Sequence, residues 1–201
     1  MSFRQMREWW RELDEVTDLG PIVRRYFVIG AFDGALTILG IVIGAAALTV
    51  GGRPGNTGFV LAVSASASIA LAVSSVVGAY EAERVEKKLH RHSIERAMLV
   101  ELSQEHRTAF RTAALVSAFV HGIAPIIAAL IPVMPFLLAG FWTAVIASIL
   151  LTLAFLFTLG AYLGSLVRER ILITGLRFVA TGLGTAGLLW ALGTAGLTLF
   201  P

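Results

Sequence analysis

The 201-residue sequence contains no cysteine, which excludes disulfides, thiolate metal sites and cysteine nucleophiles. Charge is scarce as well. Only 14% of residues are Asp, Glu, Lys or Arg, against about 25% in an ordinary soluble domain. Across residues 110–167 the only charged side chain is Arg111, a run that a water-exposed surface does not tolerate. No phosphate-binding loop, nucleophilic serine motif or zincin motif is present. Asn56 is the only asparagine, and Asn56-Thr57-Gly58 is not a glycosylation acceptor. Residues 1–20 mix acids and bases without an apolar core, so no cleavable signal peptide is expected.

What fills the chain instead is apolar. Hydrophobic residues make up 57% and the mean hydropathy is +0.81. A membrane-spanning helix needs about 20 mostly apolar residues. Five runs qualify, at about 26–50, 58–80, 110–131, 137–167 and 171–200. The expected fold is an all-α polytopic membrane protein: one five-helix domain over 23–201, with a short helical insert at 81–109. Residues 1–22 read as an amphipathic interfacial helix, with Phe3, Met6, Trp10 and Leu13 on one face and Arg7, Arg11, Glu12 and Glu15 on the other. Gly20-Pro21 is expected to break the chain before the first span, and Pro132 to Pro135 to form a turn before the fourth.

The basic residues set an orientation. If five spans alternate, 15 of the 16 Lys and Arg residues fall on one side and only Arg53 on the other. The basic side is expected to be cytoplasmic, with the N-terminus inside and the C-terminus outside. The net charge of +3 then reflects topology and contact with anionic lipid, and nucleic acid is not an expected partner.

Asp33 is the sharpest chemical signal. It stands seven residues into the first span, roughly 10 Å along the helix, where an acid costs several kcal/mol without a partner or water (on the order of 3 on insertion scales). Gly30, Gly34, Thr37, Gly40 and Gly44 share its sector, so the spacing predicts a close helix–helix seam around it. Either a cation or proton site, or an acid held inside a packing seam, meets these requirements. In the second span Ser64, Ser68, Ser75 and Gly78 share one face, with Ser74 and Glu81 at its edge. A carboxylate pair of Asp33 and Glu81 would suit a divalent cation. His121 precedes Pro125 by four residues, so the proline frees the His121 carbonyl. Imidazole and free carbonyl in one turn suit a proton relay or ion ligand, or a kinked helix with a satisfied histidine.

The insert carries Glu81, Glu83, Glu86, His90, His92, Glu95, Met98, Glu101, Glu105 and His106. Glu86/His90 and Glu101/Glu105 are spaced i,i+4, so each pair shares a helical face, and Met98 lies one turn before Glu101. Carboxylate and imidazole together can hold Fe²⁺, Mn²⁺ or Zn²⁺; a solvated mixed-charge helix has the same composition, and Glu83/Lys87 shows its spacing. A weak internal repeat relates Phe32-Asp33-Gly34 to Val120-His121-Gly122 and Gly78-Ala79-Tyr80 to Gly160-Ala161-Tyr162. The first four spans then read as two tandem hairpins, with the fifth unpaired.

Residues 27–40, Phe-Val-Ile-Gly-Ala-Phe-Asp-Gly-Ala-Leu-Thr-Ile-Leu-Gly, and residues 74–81, Ser-Ser-Val-Val-Gly-Ala-Tyr-Glu, resemble the vacuolar iron transporter (VIT) family in its short-loop prokaryotic form. The resemblance covers most of the chain from about Arg24 onward. It implies a dimeric five-helix bundle that moves Fe²⁺ or Mn²⁺ out of the cytosol, in exchange for protons. Asp33 matches the family's first-span acid on the transport path, and the family's Gly-Glu-Tyr ending of span 2 is Gly78-Ala79-Tyr80 here.

The expected function is therefore a divalent metal/proton antiporter in a prokaryotic cell membrane, and not an enzyme. Asp33, Thr37, Ser75, Tyr80 and His121 would line the transport and proton path. Asp33, Glu81, Glu83, Glu86, His90, Met98, Glu101 and Glu105 would meet the metal. Fe²⁺ or Mn²⁺ is cargo, no permanently bound cofactor is expected, and the partners are the bilayer, protons and a second copy of the chain. The alternative is a membrane metal sensor or scaffold that transports nothing.

Overall fold

A computed structural model describes residue 11 and residues 17–50, 55–99 and 104–199, with side chains at 104–107 and 196–199 left aside. Among these residues the chain is all helix: α1 Leu19–Val50, α2 Thr57–Met98, α3 Gln104–Val133, α4 Pro135–Leu138, α5 Phe141–Leu166 and α6 Ile171–Leu199. All but the one-turn α4 are long and apolar enough to cross a membrane. The amphipathic helix expected over 1–22 lies largely outside the described residues.

Helix ends follow local chemistry. α1 begins earlier than its apolar run, at Leu19, and takes Gly20 and Pro21 into its first turn. Proline is tolerated there because the first N–H groups of a helix have no intrahelical partner; the break expected at Gly20-Pro21 falls two residues earlier, at Asp18, which is left-handed with φ 50°. The Asn56 side-chain oxygen accepts from the Phe59 N–H at 2.9 Å and caps α2. α2 then continues for 42 residues, past the end of its apolar run at Tyr80, so the insert begins as an extension of the second span. Leu99, with φ 54°, closes it in the left-handed region. The fourth span starts at Phe141, later than the 137 expected, because Pro135 opens a separate turn that ends at Ala139. Arg168, also left-handed (φ 55°), closes α5 while the Glu169 N–H reaches back to the Gly164 carbonyl at 3.0 Å, a common helix stop.

The chain divides into two compact units. The first comprises residues up to Gly30 and residues 72–124, that is, the start of α1, the far part of α2 and most of α3. Leu19 and Ala113 form its small buried core, flanked by Val23, Ala109 and Val116. The second comprises residues 31–71 and 125–201. Its core joins Ile38, Val42 and Ala46 of α1 to Val60 of α2, Ala129 of α3, Phe136 of α4, and Ala144 and Val145 of α5. α6 packs on α5 where Gly160 and Gly164 meet Thr174 and Gly175. The most apolar stretch of α1 is 50% buried within the chain, against 11% for α6. α6 thus leaves most of its surface for another apolar phase.

Candidate functional site

In the second unit, α1 and α3 touch backbone to backbone. A Cβ added at Gly34 would stand 2.5 Å from the Pro125 carbonyl oxygen and 2.6 Å from its Cα. Only glycine permits that approach. Its neighbour Asp33 points elsewhere: it is exposed on the surface of the single chain, and Thr37, one turn on, is half-buried. The seam expected around Asp33 is therefore built on Gly34. Consecutive residues of a helix are rotated by about 100°, so Gly34 can face α3 while Asp33 does not. Farther along, Gly44 has open space where a side chain would be.

In the first unit, the His121 Nδ1–H donates to the Tyr26 carbonyl oxygen at 2.9 Å, and the two rings lie 5.0 Å apart. Gly30 makes this possible, since a Cβ there would come within 2.8 Å of the His121 carbonyl oxygen and 3.1 Å of Nδ1. The carbonyl that Pro125 frees is thus covered by the α1 backbone. This arrangement matches the second of the two sequence readings, a kinked helix with a bonded histidine.

Glu83 is 3% exposed, deep for an acid. One carboxylate oxygen lies 3.5 Å from Arg25 Nη2, and the other is buried with no hydrogen-bond partner. One turn on, the Lys87 ammonium donates to the Thr17 carbonyl at 2.7 Å. These contacts tie the α2 extension to the start of α1. Glu81 is held by Arg84 at 2.6 Å, Glu86 is exposed, His90 stands edge-on to Phe110, and Met98 is 60% exposed.

Among the described residues no three His, Asp or Glu side chains gather as a metal-ligand set. Glu83, expected to face metal from the insert, packs inward on Arg25 instead. Glu101 lies outside the described residues, as does the side chain of Glu105. Ser75 and Tyr80 are half-buried, whereas Ser74 and Gly78 of the same stretch are exposed.

Beside this cluster lies a cavity of about 410 Å³ between the α2 extension and the start of α3. Tyr80, Arg84, Lys87, Lys88 and Arg91 line it from α2 at helical spacing. Phe110, Arg111 and Ala114 close it from α3. It holds positive side chains and no carboxylate, so it is not a cation site.

Comparison with known proteins assigns the arrangement. The sequence pattern of the VIT family matches residues 81–194, more than half of the chain. The chain belongs to the VIT family. It is also similar to an uncharacterized protein of the archaeon Methanocaldococcus jannaschii, with 31% identity over 167 residues, covering 81% of this chain and 84% of that protein. VIT membership and the five apolar helices make it an integral membrane protein, and point to membrane metal transport rather than to an enzyme. The VIT match begins at Glu81 and leaves Asp33 outside it.

The inward-facing Glu83 and its partner Arg25 were not separable from their neighbours in the sequence. Arg24-Arg25 and Glu81-Ala82-Glu83 each offer two like residues, and only packing chooses between them.

Proposed function

We propose that this VIT-family chain is a homodimeric transporter that exports Fe²⁺ or Mn²⁺ from the cytosol in exchange for protons. The observation that carries this reading is the exposure of Asp33 on α1, within an apolar run. A carboxylate facing lipid at that depth costs several kcal/mol, on the order of 3 even on insertion scales. Facing water or the polar surface of a second copy, it costs far less. At i+7 Gly40 already meets α6, where a Cβ would stand 3.0 Å from Leu189 Cδ1, whereas Asp33, Thr37 and Gly44, at i, i+4 and i+11, leave a face of small residues beside it. Such a face suits close approach of another helix, and a two-fold axis there would bring two Asp33 carboxylates and two Thr37 hydroxyls together. Oxygen ligands of that kind suit Fe²⁺ and Mn²⁺.

Metal and proton compete for a carboxylate, because it binds metal in its ionised form. Protonation of Asp33 from the far side would release the ion and supply the exchange. His121 donates through Nδ1 to Tyr26, which leaves Nε2 to accept and pass on a proton. The basic side of the chain would face the cytoplasm of a prokaryotic cell.

The test is flux. Purified protein is reconstituted in liposomes, and Mn²⁺ and Fe²⁺ uptake is followed with and without a pH gradient, beside Asp33→Asn. The expected result is proton-coupled flux that is lost in the variant, which still elutes as a folded dimer. Full flux in Asp33→Asn removes the site from α1. Folded wild type that moves neither metal ends the transport reading for those ions.

A further inference from the structure

We propose that the cavity between the α2 extension and α3 binds a phosphate-bearing anion at the level of the lipid headgroups. The argument starts from its charge. Arg84, Lys87, Lys88 and Arg91 are stacked on one face of α2, and Arg111 faces them from α3. Like charges three and four residues apart oppose helix formation, so this helix holds them against their own repulsion. Glu81 offsets Arg84 and Glu95 lies 3.7 Å from Arg91. Among the described residues no carboxylate pairs with Lys88 or Arg111. The Arg91 Nε is buried, without a hydrogen bond but with the Glu95 carboxylate 3.7 Å away, so Lys88 and Arg111, both exposed, are the cations an incoming anion meets.

The space and its depth then select the ligand. About 410 Å³ is far more than a monatomic anion fills, and guanidinium groups match the oxygens of a phosphate in a forked geometry. Tyr80 ends the apolar run of α2 and Phe110 begins that of α3, so the cavity spans the level where apolar helix gives way to charge. Phe110 is itself 6% exposed, and its ring provides an apolar floor. A basic pocket between helices at this depth is suited to an anionic headgroup. A free soluble phosphate presents the same oxygens, and the experiment separates the two sources. The inference does not depend on transport.

The full-length protein is unfolded thermally in zwitterionic micelles, with titrated phosphatidylglycerol, phosphatidylcholine or inorganic pyrophosphate at constant ionic strength. Native mass spectrometry counts the lipid retained. Wild type is expected to show a saturable upward shift and one retained lipid per chain with phosphatidylglycerol, and neither with phosphatidylcholine. Lys88→Gln with Arg111→Gln is expected to weaken the apparent affinity about tenfold or more. Arg168→Gln with Arg170→Gln, an equal loss of charge at the α5–α6 junction, is expected to leave it unchanged. A shift with pyrophosphate alone assigns the pocket to a soluble phosphate. Equal loss in both double variants, or no preference among the three additives, overturns the pocket. Should the pocket double variant fail to fold, Lys88→Gln alone, at an exposed side chain, gives the same comparison.

Discussion

The imidazole of His121 is fixed by the backbone of Tyr26, with Nδ1 2.9 Å from the carbonyl oxygen. A carbonyl only accepts, so Nδ1 carries the proton and Nε2 is the free acceptor of the neutral ring. The sequence pointed to His121 through Pro125, four residues on. The contact that orients the ring comes from α1.

A glutamine at 121 keeps an amide donor but has no ring nitrogen to take up a proton. His121→Gln is expected to preserve thermal stability within about 1 kcal/mol, the worth of a typical hydrogen bond, while proton-coupled flux in liposomes falls. His121→Leu removes the donor too and should lose both. Equal flux in wild type and His121→Gln would take His121 off the proton path and leave it a structural residue.

Two glycines of α1, Gly34 and Gly44, differ in what surrounds them, and their neighbours give the expected order of damage. At Gly34 a new Cβ meets Pro125 backbone at 2.5 Å, which cannot give way. Gly34→Ala is expected to destabilise by about 1–3 kcal/mol, the usual cost of overpacking. Gly44 has nothing within 4 Å, and alanine is the better helix former by about 1 kcal/mol. Gly44→Ala should therefore leave the folded chain at least as stable. Thermal unfolding in one detergent checks the pair. If the dimer forms across the Asp33 face, a larger side chain in Gly44→Leu should lower the dimer fraction without unfolding the monomer, as read by light scattering.

How much of this was legible in sequence divides along the same lines. Five apolar runs fixed the number and order of the spans, because lipid leaves a helix few alternatives. Their ends were less legible: Pro21 sits where a helix accepts proline, and Pro135 opens a turn of its own before Phe141. The direction of Asp33 was not legible. Periodicity puts Asp33 and Gly34 in one broad sector, and only the position of α3 shows that Gly34 takes the contact. The insert was read for its acids and histidines, and the basic face of Arg84, Lys87, Lys88 and Arg91 emerges only with the cavity, because Arg111, which closes it, comes from another helix.

The most buried acid gives the last prediction. Glu83 is paired at 3.5 Å with Arg25, whose own side chain is 62% exposed, so one partner of the pair stands in water. Arg25→Ala leaves the carboxylate buried and short of its cation. Solvent screens such a pair, and the expected loss is about 1–2 kcal/mol, nearer the cost of an unsatisfied group than of a fully buried ion. Glu83→Gln removes the charge but keeps the shape, so the double variant should recover most of what Arg25→Ala loses. Thermal midpoints of the four proteins close the cycle. Additive losses would mean that Arg25 does not stabilise Glu83, and that the α2 extension is held to α1 by Lys87 on the Thr17 carbonyl instead.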